Sequence, residues 1–178
     1  MLGTLDTLLA VERSPESIVA YRGKQALTLG MLRQDVTRLA HWLRQQPGSP
    51  SRWALCFTDS YHFAVALLAC GYTGCHVVLP GHHRPAQLLA LAPHFDAVLS
   101  DTLQPDGVSV PLYSWPSAAT FEGEPPGLPD WPRPLGLTLF TSGSTGEPKA
   151  IIKRQQQLEA EVVELYRLWQ RELQGCVV

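Results

Sequence analysis

The chain has 178 residues, enough for one well-packed domain and too few for two ordinary ones. Hydrophobic residues make up 45% and charged residues 17%, a balance that excludes a disordered chain. A net charge of −2 and a pI near 6.3 leave no basic footprint for nucleic acid or an acidic membrane surface.

Residues 1–10 have no basic stretch and contain Asp6, so they do not read as a signal peptide. Residues 18–21 and 26–29 are short β-prone runs around Arg22-Gly23-Lys24-Gln25, a hairpin turning at Gly23. Leu32, Val36, Leu39, Ala40 and Leu43 recur at helical spacing, and the helix they predict stops at Pro47-Gly48-Ser49-Pro50.

A repeated strand–helix pattern follows. Strands are predicted over 53–57, 75–79 and 97–99, with a mostly apolar helix over 61–70 and a short one over 85–91. Near-continuous apolar strands alternating with helices predict an α/β fold, doubly wound, with a mostly parallel sheet and helices on both faces. The longest apolar run, 63–70, is far below the roughly 20 residues needed to cross a bilayer. No membrane span and a cytoplasmic location are the expectation.

Residues 105–134 are crowded with Pro, Gly and acidic side chains, and predict a long surface connection with one short strand over 108–113. Strands are predicted over 136–140 and 150–153, with a loop over 141–149 between them. Leu158, Val162, Leu165, Trp169 and Leu173 mark one face of a long helix. Cys176-Val177-Val178 reads as the start of another buried strand, so the expectation is a single partial domain over 1–178, cut from something longer. Cys56, Cys70 and Cys75 lie in apolar segments and read as buried thiols, and the adjacent His82 and His83 read as a solvated loop. No metal site is expected.

The loop Thr141-Ser142-Gly143-Ser144-Thr145-Gly146-Glu147-Pro148-Lys149 concentrates hydroxyls, two glycines and a lysine. Glycines let backbone N–H groups approach an anion with no Cβ in the way, hydroxyls donate to phosphate oxygens, and Lys149 supplies a compact positive charge. A position after an apolar strand puts the loop at the carboxyl edge of a sheet, where open α/β folds bind ligands. It is not a Walker A loop. Pro148 stands at the second glycine, Ala150 replaces the magnesium-binding hydroxyl, and a strand rather than a helix follows.

The order Ser-Gly-Ser-Thr-Gly-x-Pro-Lys resembles the signature loop of the AMP-forming synthetase superfamily, which includes acyl-CoA synthetases, peptide-synthetase adenylation domains and luciferases. The preceding hairpin, helix and strands resemble the first part of that family's large N-terminal domain. The resemblance implies an ATP-dependent carboxylic-acid-activating ligase, forming an acyl-adenylate and then passing the acyl group to CoA or to a carrier-protein phosphopantetheine. It implies that Thr141, Ser142, Gly143, Ser144, Thr145 and Gly146 line the ATP phosphates, and that Lys149 positions the loop or neutralises charge. ATP, Mg2+, a small carboxylic acid and an acyl carrier protein are the implied cofactors and partners.

Two positions depart from the family: Ala150 stands where glycine often follows the lysine, and Lys153-Arg154-Gln155 replaces a frequent Thr-His pair. The run from Gly146 to Val162 most resembles acyl- or aryl-activating ligases of bacterial polyene-pigment and fatty-acid pathways. Catalytic residues are expected beyond Val178, since the family's adenine, ribose and C-terminal lysine motifs are not in this sequence. The chain alone is therefore expected to be inactive, with its loop exposed and mobile without nucleotide. The competing reading is a free-standing, non-catalytic α/β module kept for packing or partner binding.

Overall fold

The computed structural model describes residues 4–9, 12–102, 109–115, 127–142 and 148–169. Strands β1 (Ile18–Arg22) and β2 (Gln25–Thr28) pair antiparallel, and Gly23 turns the hairpin at φ +60°. Thr28 ends β2 and caps helix α1 (Leu29–Arg44), its hydroxyl accepting from the Met31 amide at 3.3 Å. The predicted face of α1 is buried: Leu32, Val36, Leu39, Ala40 and Leu43. That face packs on helix α2 (Ser60–Thr73), whose nearly all-apolar sequence suits an element enclosed on most sides. Asp59 caps α2 through the Tyr61 and His62 amides, and Gly74 closes it at φ +70°.

Among the described residues, six strands form the main sheet in the order β6-β5-β3-β4-β7-β8. Strands β3 (Arg52–Cys56), β4 (His76–Leu79), β5 (Ala97–Ser100), β6 (Leu112–Ser114) and β7 (Gly136–Ser142) are parallel, and β8 (Pro148–Arg154) returns antiparallel to β7. Alternate residues face opposite helical layers, as a pleated strand requires. Trp53, Leu55, Val77, Leu99 and Leu137 pack in the cluster built with α1 and α2. Ala54, Cys56, Val78, Val98 and Phe140 pack with Leu88 and Leu91 of helix α3 (Pro85–Leu91). The doubly wound, mostly parallel sheet with helices on both faces is thus the observed architecture.

The end of the long connection packs on α2. The Trp131 ring lies on Gly71 of α2 so closely that a Cβ there would come within 2.0 Å of it. Tyr72 meets the same ring edge-on at 4.8 Å, and Arg133 Nε donates to the Gly74 carbonyl at 2.9 Å. Strand β6 falls at Leu112–Ser114, slightly downstream of the expected 108–113, and Val108 lies outside the described residues.

Helix α4 (Gln155–Trp169) follows β8 directly. Buried Gln155 ties it in: its Oε1 accepts from the Leu135 amide and Trp131 Nε1, and its Nε2 donates to Glu159, which also accepts from the Leu5 amide. Beyond Leu158, which packs on the core, the predicted apolar face of α4 stays open, with Val162, Leu165 and Trp169 exposed. Leu173 lies outside the described residues. β8 is open too, with Ile152 71% exposed on the edge strand of the sheet.

Candidate functional site

Because β3, β4, β5 and β7 run parallel, their carboxyl ends share one edge of the sheet. The hydroxyl- and glycine-rich stretch leaves from that edge. Its ends are strand rather than loop: β7 runs on through Thr141 and Ser142, and β8 begins at Pro148, with Thr141 paired to Lys149 and Ser142 to Pro148. Directly opposed residues of an antiparallel pair project from the same face, with Cβ atoms about 4.5–5.5 Å apart. A hydroxyl and an ammonium are therefore brought together at the sheet edge, and both residues are exposed. Of the other predicted site residues, Gly143, Ser144, Thr145 and Gly146 lie outside the described residues.

The same edge carries a polar cluster that sequence reading missed. Asp101, just after β5, accepts from the Thr58 amide at 3.0 Å and the Asp59 amide at 2.9 Å, so it locks the turn between β3 and α2. Asp59 pairs with Arg22 of the hairpin at 2.9 Å. Arg22 reaches His62 Nε2 at 3.1 Å, and the His62 ring stacks on Trp115 at 4.4 Å. His62 Nδ1 is buried without a hydrogen bond, 3.8 Å from an Asp101 oxygen.

Burial pushes the Asp59 and Asp101 carboxyls up, but backbone amide hydrogen bonds, helped at Asp59 by Arg22, outweigh it and hold both below the usual carboxylate range. Both are thus ionised at neutral pH, and Asp59 ties the hairpin to this edge of the sheet through Arg22. Apart from the local cap that joins Asp59 to His62, residues 22, 59, 62, 101 and 115 are distant in sequence and meet only in the fold.

Among the described residues, no group of three or more His, Cys, Asp or Glu is placed to hold a metal ion. Among the same residues, no helix is long and apolar enough to cross a membrane.

Residues 9–176 match the family model described as AMP-binding enzyme. Malpinin synthetase of Mortierella alpina is 30% identical over 161 residues, covering 83% of this chain and 2% of that protein. Feruloyl-CoA synthase of Amycolatopsis sp is 30% identical over 152 residues, covering 76% of this chain and 30% of its own length. A fatty acyl-adenylate ligase from L. pneumophila, solved with acyl adenylate and pyrophosphate, superposes with a TM-score of 0.65 at 19% identity, covering 92% of this chain and 32% of that one. The chain thus spans a third or less of the curated relatives it matches.

Proposed function

The chain belongs to the AMP-binding enzyme family, and from that premise we propose that it supplies the ATP phosphate-holding part of a carboxylic-acid-activating ligase. One observation carries the reading: the Thr141–Lys149 pair stands at the carboxyl edge of the parallel sheet, bracketing residues 143–147. In this reading Thr141, Ser142, Ser144 and Thr145 donate hydroxyls to the β- and γ-phosphates. Gly143 and Gly146 let backbone amides approach, and Lys149 neutralises charge as pyrophosphate leaves.

The carboxylate of the acid attacks the α-phosphorus, the bond from α-phosphorus to the bridging oxygen breaks, and pyrophosphate departs. The acyl-adenylate then gives its acyl group to a thiol, of CoA or of a carrier-protein phosphopantetheine, in the cytoplasm. Magnesium accompanies nucleotide phosphates, but the described residues offer it no carboxylate or imidazole set, so none of the steps here is routed through it.

This portion alone does not orient the acid against the α-phosphorus. Positioning of that kind supplies roughly 7–11 kcal/mol of a barrier. The test is carboxylate-dependent exchange of labelled pyrophosphate into ATP, run on this chain and on a longer polypeptide that continues it. The proposal expects exchange only by the longer form. Exchange by the chain alone would refute the division of labour, and a silent longer form across aryl and fatty acids would favour a non-catalytic module.

A further inference from the structure

The order of the strands creates a second place where a ligand fits. From β3 the chain passes through α2 to β4, and α2 lies on the sheet face carrying Trp53, Leu55 and Val77. From β4 it passes through α3 back across β3 to β5, and α3 lies on the face carrying Ala54, Cys56 and Val78. The loops leaving β3 and β4 therefore part in opposite directions, and the two carboxyl ends flank a topological switch point. Open α/β sheets bind ligands in the crevice at such a point.

A cavity of about 200 Å³ occupies this position. Its walls are Leu55 and Phe57 from β3 and the turn after it, Phe63 from the first turn of α2, and Leu79 and Pro80 from β4 and its exit. Phe57, Phe63 and Leu79 are only half-buried, so apolar surface faces the opening. Gly81 lines it where the chain leaves β4. It turns at φ +77°, and a Cβ there would come within 2.7 Å of the Phe140 carbonyl oxygen. Among the described lining residues, His83 alone has a titratable side chain.

Size and charge choose the ligand class. An apolar cavity of about 150 Å³ is enough for benzene, so this one takes a single ring with a small substituent. Burial lowers the pKa of His83, against a smaller opposing pull from Asp101, so its ring is held neutral and offers an anion no charge. We propose that the crevice between the carboxyl ends of β3 and β4 binds a neutral, hydroxyl-bearing aromatic ring, its hydroxyl hydrogen-bonded to His83. This site is separate from the Thr141–Lys149 pair and stands whether or not that pair holds phosphate.

The test is a titration of the isotopically labelled chain with phenol, read as amide chemical shifts. Phenol is expected to give saturable shifts in the millimolar range, centred on Phe57, Phe63, Gly81 and His83. Phe63→Trp fills the cavity and is expected to abolish them, with Leu79→Phe as the second filling variant should the first misfold. His83→Ala is expected to weaken binding by about three- to tenfold, the worth of one neutral hydrogen bond. Shifts that do not saturate, that persist in a folded filling variant, or that benzoate produces as tightly as phenol would overturn the assignment.

Discussion

Thr141 and Lys149 are directly opposed across the antiparallel β7–β8 ladder, one pair beyond Phe140 and Ala150. A lysine eight positions away in sequence thus becomes a cross-strand neighbour of the first hydroxyl of the loop. That relationship turns a residue pattern into a geometric claim about where a polyphosphate would meet positive charge.

The contact between Trp131 and Gly71 makes a prediction whose sign depends on background. Gly71→Ala forces a methyl into the indole. Overpacking costs about 1–3 kcal/mol, while the gain in helix propensity returns about 1 kcal/mol. A net loss of about 1 kcal/mol is expected in urea unfolding. With Trp131 already cut to Ala, the same change is expected to stabilise. Destabilisation of equal size in both backgrounds would show that the indole is not the obstacle.

Acid stability follows from two groups shifted downward. Burial, with Arg52 and Arg133 nearby, lowers the pKa of His76, whose Nε2 lies 2.8 Å from the Thr138 hydroxyl. A histidine held neutral in the fold stabilises above its ordinary value of 6.5, and that stability is lost as pH falls through it toward the lowered value. His76→Gln keeps a side-chain amide near Thr138 but cannot titrate, so the fall in stability between about pH 7 and pH 5 is expected to flatten. Lower down, hydrogen bonds from Arg52 hold Asp96 at about 2, so a second loss is expected between its ordinary 3.8 and that value. Unchanged pH dependence in the His76 variant would contradict this account.

The buried thiols are expected to be inert. Burial, with a smaller push from Asp101, raises Cys56 to about 12, and burial raises Cys70 well above its ordinary value. Alkylation at neutral pH read by mass spectrometry is expected to leave both unmodified until denaturant is added. Cys75, half-buried and within 3.2 Å of the Thr73 hydroxyl, is raised as well and is expected to react slowly. Rapid native labelling of Cys56 would place the β3 end nearer to solvent than described.

Much of this fold was legible because its signals are local. Short β-prone runs marked the hairpin, near-continuous apolar runs the three central strands and 3.6-residue apolar spacing α1, while Gly23 and residues 47–50 marked turns. What escaped depends on contacts between distant residues. Residues 105–134 showed no sustained period because Pro and Gly erase it, yet Trp131 docks where Gly71 leaves room and Gln155 holds it. The strand ends at Thr141 and Lys149 read as loop because Gly143, Gly146 and Pro148 signal a turn, and Gly, Pro and Lys have weak strand preference. The ladder with the partner strand overrides that preference. The Asp101–His62–Trp115 cluster needs β3, β5 and β6 side by side before it exists.

The central claim is that residues 141–149 receive the phosphates of ATP, and its most direct measurement is a low-salt titration followed at the Thr141 and Lys149 amides. Tripolyphosphate and ATP are expected to shift both resonances saturably, while AMP, lacking the β- and γ-phosphates, leaves them in place. Lys149→Ala is expected to weaken the response by about two- to fivefold, the range for an exposed charge pair. Resonances at Thr141 and Lys149 that stay still with tripolyphosphate, or that move equally with AMP, would contradict the account.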